Sequence, residues 1–127
     1  MSNKFDDMYK ELVVKGNEAP KPKKASEYVF EFDLKGNFLS VSQEAADFSG
    51  YSLKDIETMS VWDVISEKDH DLMLENFAAR KEGRPVDPYE VTLMTKSGNA
   101  IRIRVETTPI VEDGKVSRVR GKFIPLD

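Results

Sequence analysis

From residue 28 onward, hydrophobic and polar positions alternate with a period of two, and the period changes to that of a helix at Ser42. Tyr28, Phe30 and Phe32 alternate with Val29, Glu31 and Asp33, which predicts a strand with one aromatic face and one mostly charged face. Lys35-Gly36-Asn37 supplies the turn chemistry, and Phe38, Leu39 and Val41 form the return strand. Gln43-Glu44-Ala45-Ala46-Asp47-Phe48 then consists of residues that suit a helix rather than a sheet. A hairpin followed at once by short helices leaves a sheet face to be capped around a pocket, with Tyr28, Phe30 and Phe32 as its floor.

Three short helical segments and a longer one follow. Ser52 with Asp55 three residues later resembles a capping box, and Ser60 caps a turn through Trp62, Val64 and Ile65. Ser66 with Asp69 repeats the pattern and opens a helix through Arg80 or Lys81, with Met73, Leu74, Phe77 and Ala78 on its apolar side. Gly83 and Pro85 end it. The last third predicts three strands. Tyr89, Val91 and Leu93 alternate with Glu90, Thr92 and Met94; Ile101, Ile103 and Val105 alternate with Arg102, Arg104 and Glu106. Val119 and Phe123 oppose Arg118, Arg120 and Lys122 on the final strand, and Ser97-Gly98-Asn99 and Glu112-Asp113-Gly114-Lys115 are the hairpin turns.

Residues 1–26 differ from the rest. Phe5, Met8 and Leu12 share one face of a short amphipathic helix, too short to hold alone and expected to dock on something. Two prolines among four lysines then make residues 15–24 an extended linker, so the domain proper is expected over residues 27–127.

Composition narrows the function classes. A chain of 127 residues is one domain by size, and 39% hydrophobic with 33% charged residues and a net charge of -4 gives no basic excess to recommend nucleic acid. No apolar run approaches the ~20 residues that span a bilayer, and no secretory signal pattern opens the chain, so a cytoplasmic protein without a membrane role is expected. Cysteine is absent and histidine occurs once, which removes disulfides, cysteine nucleophiles, thiol-attached cofactors and nearly all ligands for zinc. There is no Gly-rich phosphate loop and no Ser/His/Asp motif, and the carboxylates near the start of the long helix suit its dipole, so no enzymatic activity is expected. Residues 27–75 carry three basic and twelve acidic side chains against ten and seven in residues 76–127, which makes the helical side acidic.

Together these residues resemble the PAS domain family, in its S-box-like form, over roughly residues 27–127. The resemblance is distributed: the aromatic strand ending in Asp33 before Lys35-Gly36-Asn37, Ala45-Ala46 ahead of Gly50-Tyr51-Ser52 with Asp55-Ile56, Val61-Trp62-Asp63-Val64-Ile65, Lys96-Ser97-Gly98, Thr108-Pro109-Ile110 and Asp113-Gly114-Lys115. Ser42 stands where family members often have asparagine, and Thr58-Met59 replaces a frequent Ile-Gly. The resemblance implies an α+β fold: a five-stranded antiparallel sheet in the order 2-1-5-4-3, with short helices and one longer helix on one face. It also implies a sensory module of a signal-transduction protein, with a ligand cavity between helices and sheet and a signalling partner or a second copy as its output.

That order places acid beside base across the outer face: Glu31 and Asp33, then Arg118, Arg120 and Lys122, then Arg102, Arg104 and Glu106, then Glu90. An inward Arg102 and Arg104 pair would bind a carboxylate ligand only by turning Ile101, Ile103 and Val105 to solvent. The pocket candidates, chosen by face, are Phe30, Val41, Phe48, Ile56, Trp62, Ile65, Met73, Phe77, Val91, Leu93 and Ile103. Trp62, Phe48, Phe30 and Tyr89 suit stacking on a flavin as well as core packing. His70 lies on the long helix where haem-binding relatives carry an axial histidine, but earlier in the helix, so haem is disfavoured; a cysteine-linked flavin or chromophore is excluded. The competing expectation is a pocketless interaction or dimerisation module with a filled core.

Overall fold

A computed structural model of the chain describes residues 28–126. The helix and linker expected over residues 1–26 lie outside the described residues. The elements are β1 (Tyr28–Asp33), β2 (Phe38–Val41), α1 (Gln43–Ser49), α2 (Leu53–Ile56), α3 (Val61–Val64), a 3-10 turn (Glu67–Asp69), α4 (His70–Lys81), β3 (Tyr89–Met94), β4 (Ala100–Glu112) and β5 (Lys115–Pro125). They form one antiparallel sheet in the order β2-β1-β5-β4-β3, which is the expected topology. The inner face, carrying Phe32, Val91, Ile103, Val105, Val119 and Phe123, is buried beneath the helices.

Helices of four to seven residues do not persist alone, so their ends have to be satisfied locally and their faces buried. Ser42 Oγ accepts from Ala45 N at 3.2 Å and from Val29 N at 3.3 Å, which caps α1 and ties it to β1. Ser52 and Asp55 form the reciprocal box expected for α2, at 3.0 and 3.3 Å. At α3 the carboxylate does the capping: Asp63 accepts from the Ser60 N–H at 2.9 Å.

The box expected from Ser66 and Asp69 does not form. Asp69 Oδ2 instead accepts from Thr92 N at 2.8 Å, and Ser66 N donates to the Thr92 carbonyl at 2.9 Å. β3 is an edge strand whose outer N–H and C=O groups have no further strand to pair with, and this segment closes that edge. α4 is also turned from the expected face. Met73 and Phe77 are buried, but Leu74 is 57% exposed and Ala78 is exposed, while Ala79 and Arg80 are buried in their place. Positions 73, 77 and 80 make a narrower stripe than apolar content alone suggests, because Arg80 occupies the sheet-facing position in the last turn.

Gly36 is in the left-handed region with φ +96°, and a Cβ there would stand 2.7 Å from Trp62 Nε1. The absence of a side chain lets the β1–β2 turn sit against α3, where Trp62 Nε1 donates to the Lys35 carbonyl at 2.9 Å.

The outer face is ionic. Glu31 opposes Arg120, and its carboxylate accepts from Arg118 Nε at 3.0 Å and from Arg120 Nε and Nη2 at 3.0 and 2.8 Å. Arg118 also reaches Glu112, Lys122 and Arg104 approach Glu106, and Arg102 approaches Glu90. Asp33 does not join this face; it turns back to accept from Lys35 N and Asn37 N, both at 2.9 Å, because the turn's free N–H groups are nearer than Arg118. Arg102 and Arg104 point outward, with Ile103 and Val105 buried between them. Val29 and Ile124 are exposed apolar groups on this face, diagonal to one another beside Lys122.

The hydrogen bonds from Arg120, and then those from Arg118, hold the Glu31 carboxyl below the usual glutamate range against the opposing effect of desolvation. A carboxyl whose folded pKa is depressed contributes stability that is complete above its unfolded pKa and lost as pH falls through the folded value. Glu31→Gln is therefore expected to cost about 1 kcal/mol at neutral pH, the upper end for an exposed ion pair because two arginines share the carboxylate. Urea denaturation at decreasing pH checks this, and the gap between variant and parent closes under acid conditions.

Candidate functional site

Between the helices and the inner sheet face lies a cavity of about 70 Å³. Phe30 and Phe32 of β1, Phe38 and Val41 of β2, and Phe123 of β5 make its floor on one side. Tyr89, Val91 and Leu93 of β3 with Ile103 and Val105 of β4 make it on the other. The helices supply Ala45, Ser49, Ile56, Val61, Val64 and Met73, with Tyr51 and Ile65 from the connections. Two local features leave this space open. Gly121 lies opposite Phe30, where a Cβ would be 2.7 Å from the Phe30 ring, so the ring drops flat onto the sheet. Ala45, Val61 and Val64 reach back from the helical layer with short side chains.

Eight of the eleven expected residues come together around this cavity: Phe30, Val41, Ile56, Ile65, Met73, Val91, Leu93 and Ile103. Phe48, Trp62 and Phe77 do not line it. The Phe48 ring packs 5.0 Å from Tyr28 and 5.7 Å from Phe123, closing one end of the core. Trp62 stands edge-on to Phe77 and His70 at 5.1 and 5.2 Å, and Phe77 packs 5.3 Å from Phe32. Both rings border a surface groove with Leu34, Lys35 and Leu74. A flavin stacked among Trp62, Phe48, Phe30 and Tyr89 does not match this arrangement, because two of the four rings lie outside the cavity.

Of the floor expected from Tyr28, Phe30 and Phe32, the two phenylalanines line the cavity while Tyr28 packs on Phe48 and Phe123; Val105 is a wall residue that alternation could have added, since it shares a face with Ile103. Ser49 and Tyr51 carry no such signal; they enter through the end of α1.

The cavity is nearly all hydrocarbon. Ser49 Oγ is occupied, donating to the Ala46 carbonyl at 2.8 Å and accepting from Tyr51 N. Burial pushes the Tyr89 hydroxyl up to about 12, with Arg80 nearby opposing that rise, so Tyr89 stays neutral through the physiological range. His70 is not in the wall; its Nε2 donates to the Ile65 carbonyl at 2.9 Å. No group of three or more His, Asp or Glu side chains that could hold a metal ion occurs among the described residues. No helix among them is long and apolar enough to cross a membrane.

Size limits the occupant. On a measure in which one water needs about 10–15 Å³, the cavity holds several heavy atoms, well short of the about 300–1,000 Å³ of sites for drug-sized ligands.

Residues 26–121 match the family model described as PAS domain. Comparison with curated proteins finds no match. Among solved structures, the chain is similar to a sensory box histidine kinase/response regulator from Burkholderia thailandensis, with 21% identity over 81% of this chain and 79% of that one and a TM-score of 0.64. It is similar to the PAS domain of an HTR-like protein from Haloarcula marismortui, with 16% identity, coverage of 79% and 81%, and a TM-score of 0.65. It is also similar to the Drosophila melanogaster Cycle PAS-B domain with bound ethylene glycol, with 13% identity, coverage of 78% and 99%, and a TM-score of 0.67.

A real void accepts an added methylene, and a filled core does not. Val91 is fully buried in the cavity wall. Val91→Ile is expected to leave stability unchanged or raise it by up to about 0.8 kcal/mol, against a loss of about 1–3 kcal/mol for overpacking. Chemical denaturation of the two proteins distinguishes these results.

Proposed function

Because the chain belongs to the PAS domain family, we propose that it is the sensory or regulatory module of a signal-transduction protein, binding a small ligand between helices and sheet. The observation that supports this reading is the construction of the cavity wall. Every strand and every helix from β1 to β5 contributes at least one side chain to it, so occupancy acts on the whole sheet rather than on one loop. The volume selects a molecule of a few heavy atoms, and the hydrocarbon wall selects one with an apolar part. In this reading the module senses and does not catalyse.

The output surface in this proposal is the outer sheet face, where Glu31, Arg118 and Arg120 lock β1 to β5. The walls of the cavity and this ionic seam are opposite faces of the same strands, so a shift between β1 and β5 is felt on both. A signalling protein or a second copy of the chain is the partner expected there.

A second reading is favoured by the small volume and by exposed Val29 and Ile124 on the outer face: an interaction module whose core needs no ligand. Native mass spectrometry of the full chain purified from its source separates the two. The sensory reading expects a retained small molecule that leaves on denaturation. A clean protein mass, together with no thermal stabilisation by any member of a small-molecule panel, favours the interaction module.

A further inference from the structure

A second concavity lies on the solvent side of the helical layer. Leu34 and Lys35 of the β1–β2 turn, Trp62 of α3, and Leu74, Ala78 and Lys81 of α4 line a groove of about 510 Å³. That lies within the roughly 300–1,000 Å³ of sites that enclose a drug-sized group, which is room for several large side chains. Leu74, Ala78 and Lys81 recur at i, i+4 and i+7, so they share one face of α4, and Leu74 is 57% exposed there. Phe77 also borders the groove and packs 5.3 Å from Phe32, a wall residue of the cavity, so the two spaces share a partition.

The charge of this groove sets it apart from its surroundings. Residues 27–75 carry only three basic side chains against twelve acidic ones, and Lys35 is one of the three. Lys35 and Lys81 stand at the groove with no ion-pair partner among the described residues, while Glu82 beside them is taken by Arg84 at 2.7 Å. On the outer sheet face the cations are matched: Arg102, Arg104, Arg118, Arg120 and Lys122 each have a carboxylate within 4.0 Å. An apolar strip edged by unmatched lysines fits an apolar segment edged by carboxylates.

Residues 5–12 of the same chain have that composition. Phe5, Met8 and Leu12 recur at i, i+3 and i+7, with Asp6, Asp7 and Glu11 between them. Residues 13–27 connect this segment to Tyr28. At roughly 3.3–3.6 Å per residue their greatest reach is about 50 Å, against a radius of gyration of about 13 Å for a domain of this size. The tether therefore reaches the groove, and it raises the segment's effective concentration to the order of millimolar, so a weak contact is enough.

We propose that residues 5–12 seat in this groove in cis, with Phe5, Met8 and Leu12 on the strip formed by Trp62, Leu74 and Ala78, and the flanking carboxylates beside Lys35 and Lys81. The inference is independent of whether the cavity holds a ligand.

The chain has no cysteine, so Asn3→Cys in the full chain gives a single attachment point for a nitroxide. Paramagnetic broadening is expected to remove at least half of the signal intensity of Leu74, Ala78 and Lys81 and to spare Val29 and Ile124. Trp62 is the only tryptophan, so acrylamide quenching reads the groove directly. Replacing Phe5, Met8 and Leu12 together by serine is expected to abolish the selective broadening and to raise the quenching constant at least twofold. That variant changes no described residue, so the test does not depend on the fold tolerating it. Lys35→Glu with Lys81→Glu is expected to weaken the seating, and Asp6→Lys, Asp7→Lys and Glu11→Lys added to it are expected to restore the broadening.

Broadening centred on Val29 and Ile124 overturns the proposal, as does uniform broadening over the whole surface or quenching unchanged by the serine substitutions. Broadening of equal strength in a mixture of isotope-labelled chain and separately spin-labelled chain assigns the occupant to a second copy and also overturns it.

Discussion

The structure depends on burying one face of a five-stranded sheet. Phe32, Val91, Ile103, Val105 and Val119 are withdrawn from water there, each contributing roughly 1.5–3 kcal/mol relative to exposure, whereas each ion pair of the outer face contributes roughly 0–1 kcal/mol. α2 and α3, of four residues each, cannot nucleate alone and exist because this face must be covered. Their caps decide where each piece of cover starts. Ser42 ties α1 to β1, Asp69 ties α4 to the free edge of β3, and Trp62 ties α3 to the β1–β2 turn through Lys35.

A cover assembled from short capped pieces does not close perfectly over a twisted sheet. The residual space falls where the glycine at 121 lowers Phe30 and where Ala45, Val61 and Val64 are too short to meet it. The same geometry gives the cavity its apolar character. In the proposed account the cover recognises and the sheet transmits, because β1 and β5 carry cavity residues on one side and the Glu31 ion pairs on the other.

The strands and their faces were legible in the sequence because period-two alternation is a direct imprint of the pleat, and Glu31, Glu90, Glu106 and the facing arginines repeat it in charge. Eight cavity residues followed from the same alternation and from helical spacing. Phe48, Trp62 and Phe77 did not, since aromatic residues on an apolar face pack equally well against each other or against a void, and only the direction of the helix axis decides. The turn of α4 was hidden for a related reason: Leu74 and Ala78 look like core residues, whereas Arg80 looks like surface. Asp69 was misread because its spacing from Ser66 matches a capping box, while its actual partner, the Thr92 N–H, is 23 residues away in sequence.

The central claim is that the helix–sheet seam encloses a true binding void. Methyl NMR of the full chain under increasing xenon pressure tests it most directly, since dry apolar cavities take up xenon. Saturable shifts are predicted at Ile56, Ile65, Ile103, Val91 and Met73, which line the cavity, with Ile110 and Ile124 unaffected. Weak linear shifts of equal size at all of these methyls would contradict the account.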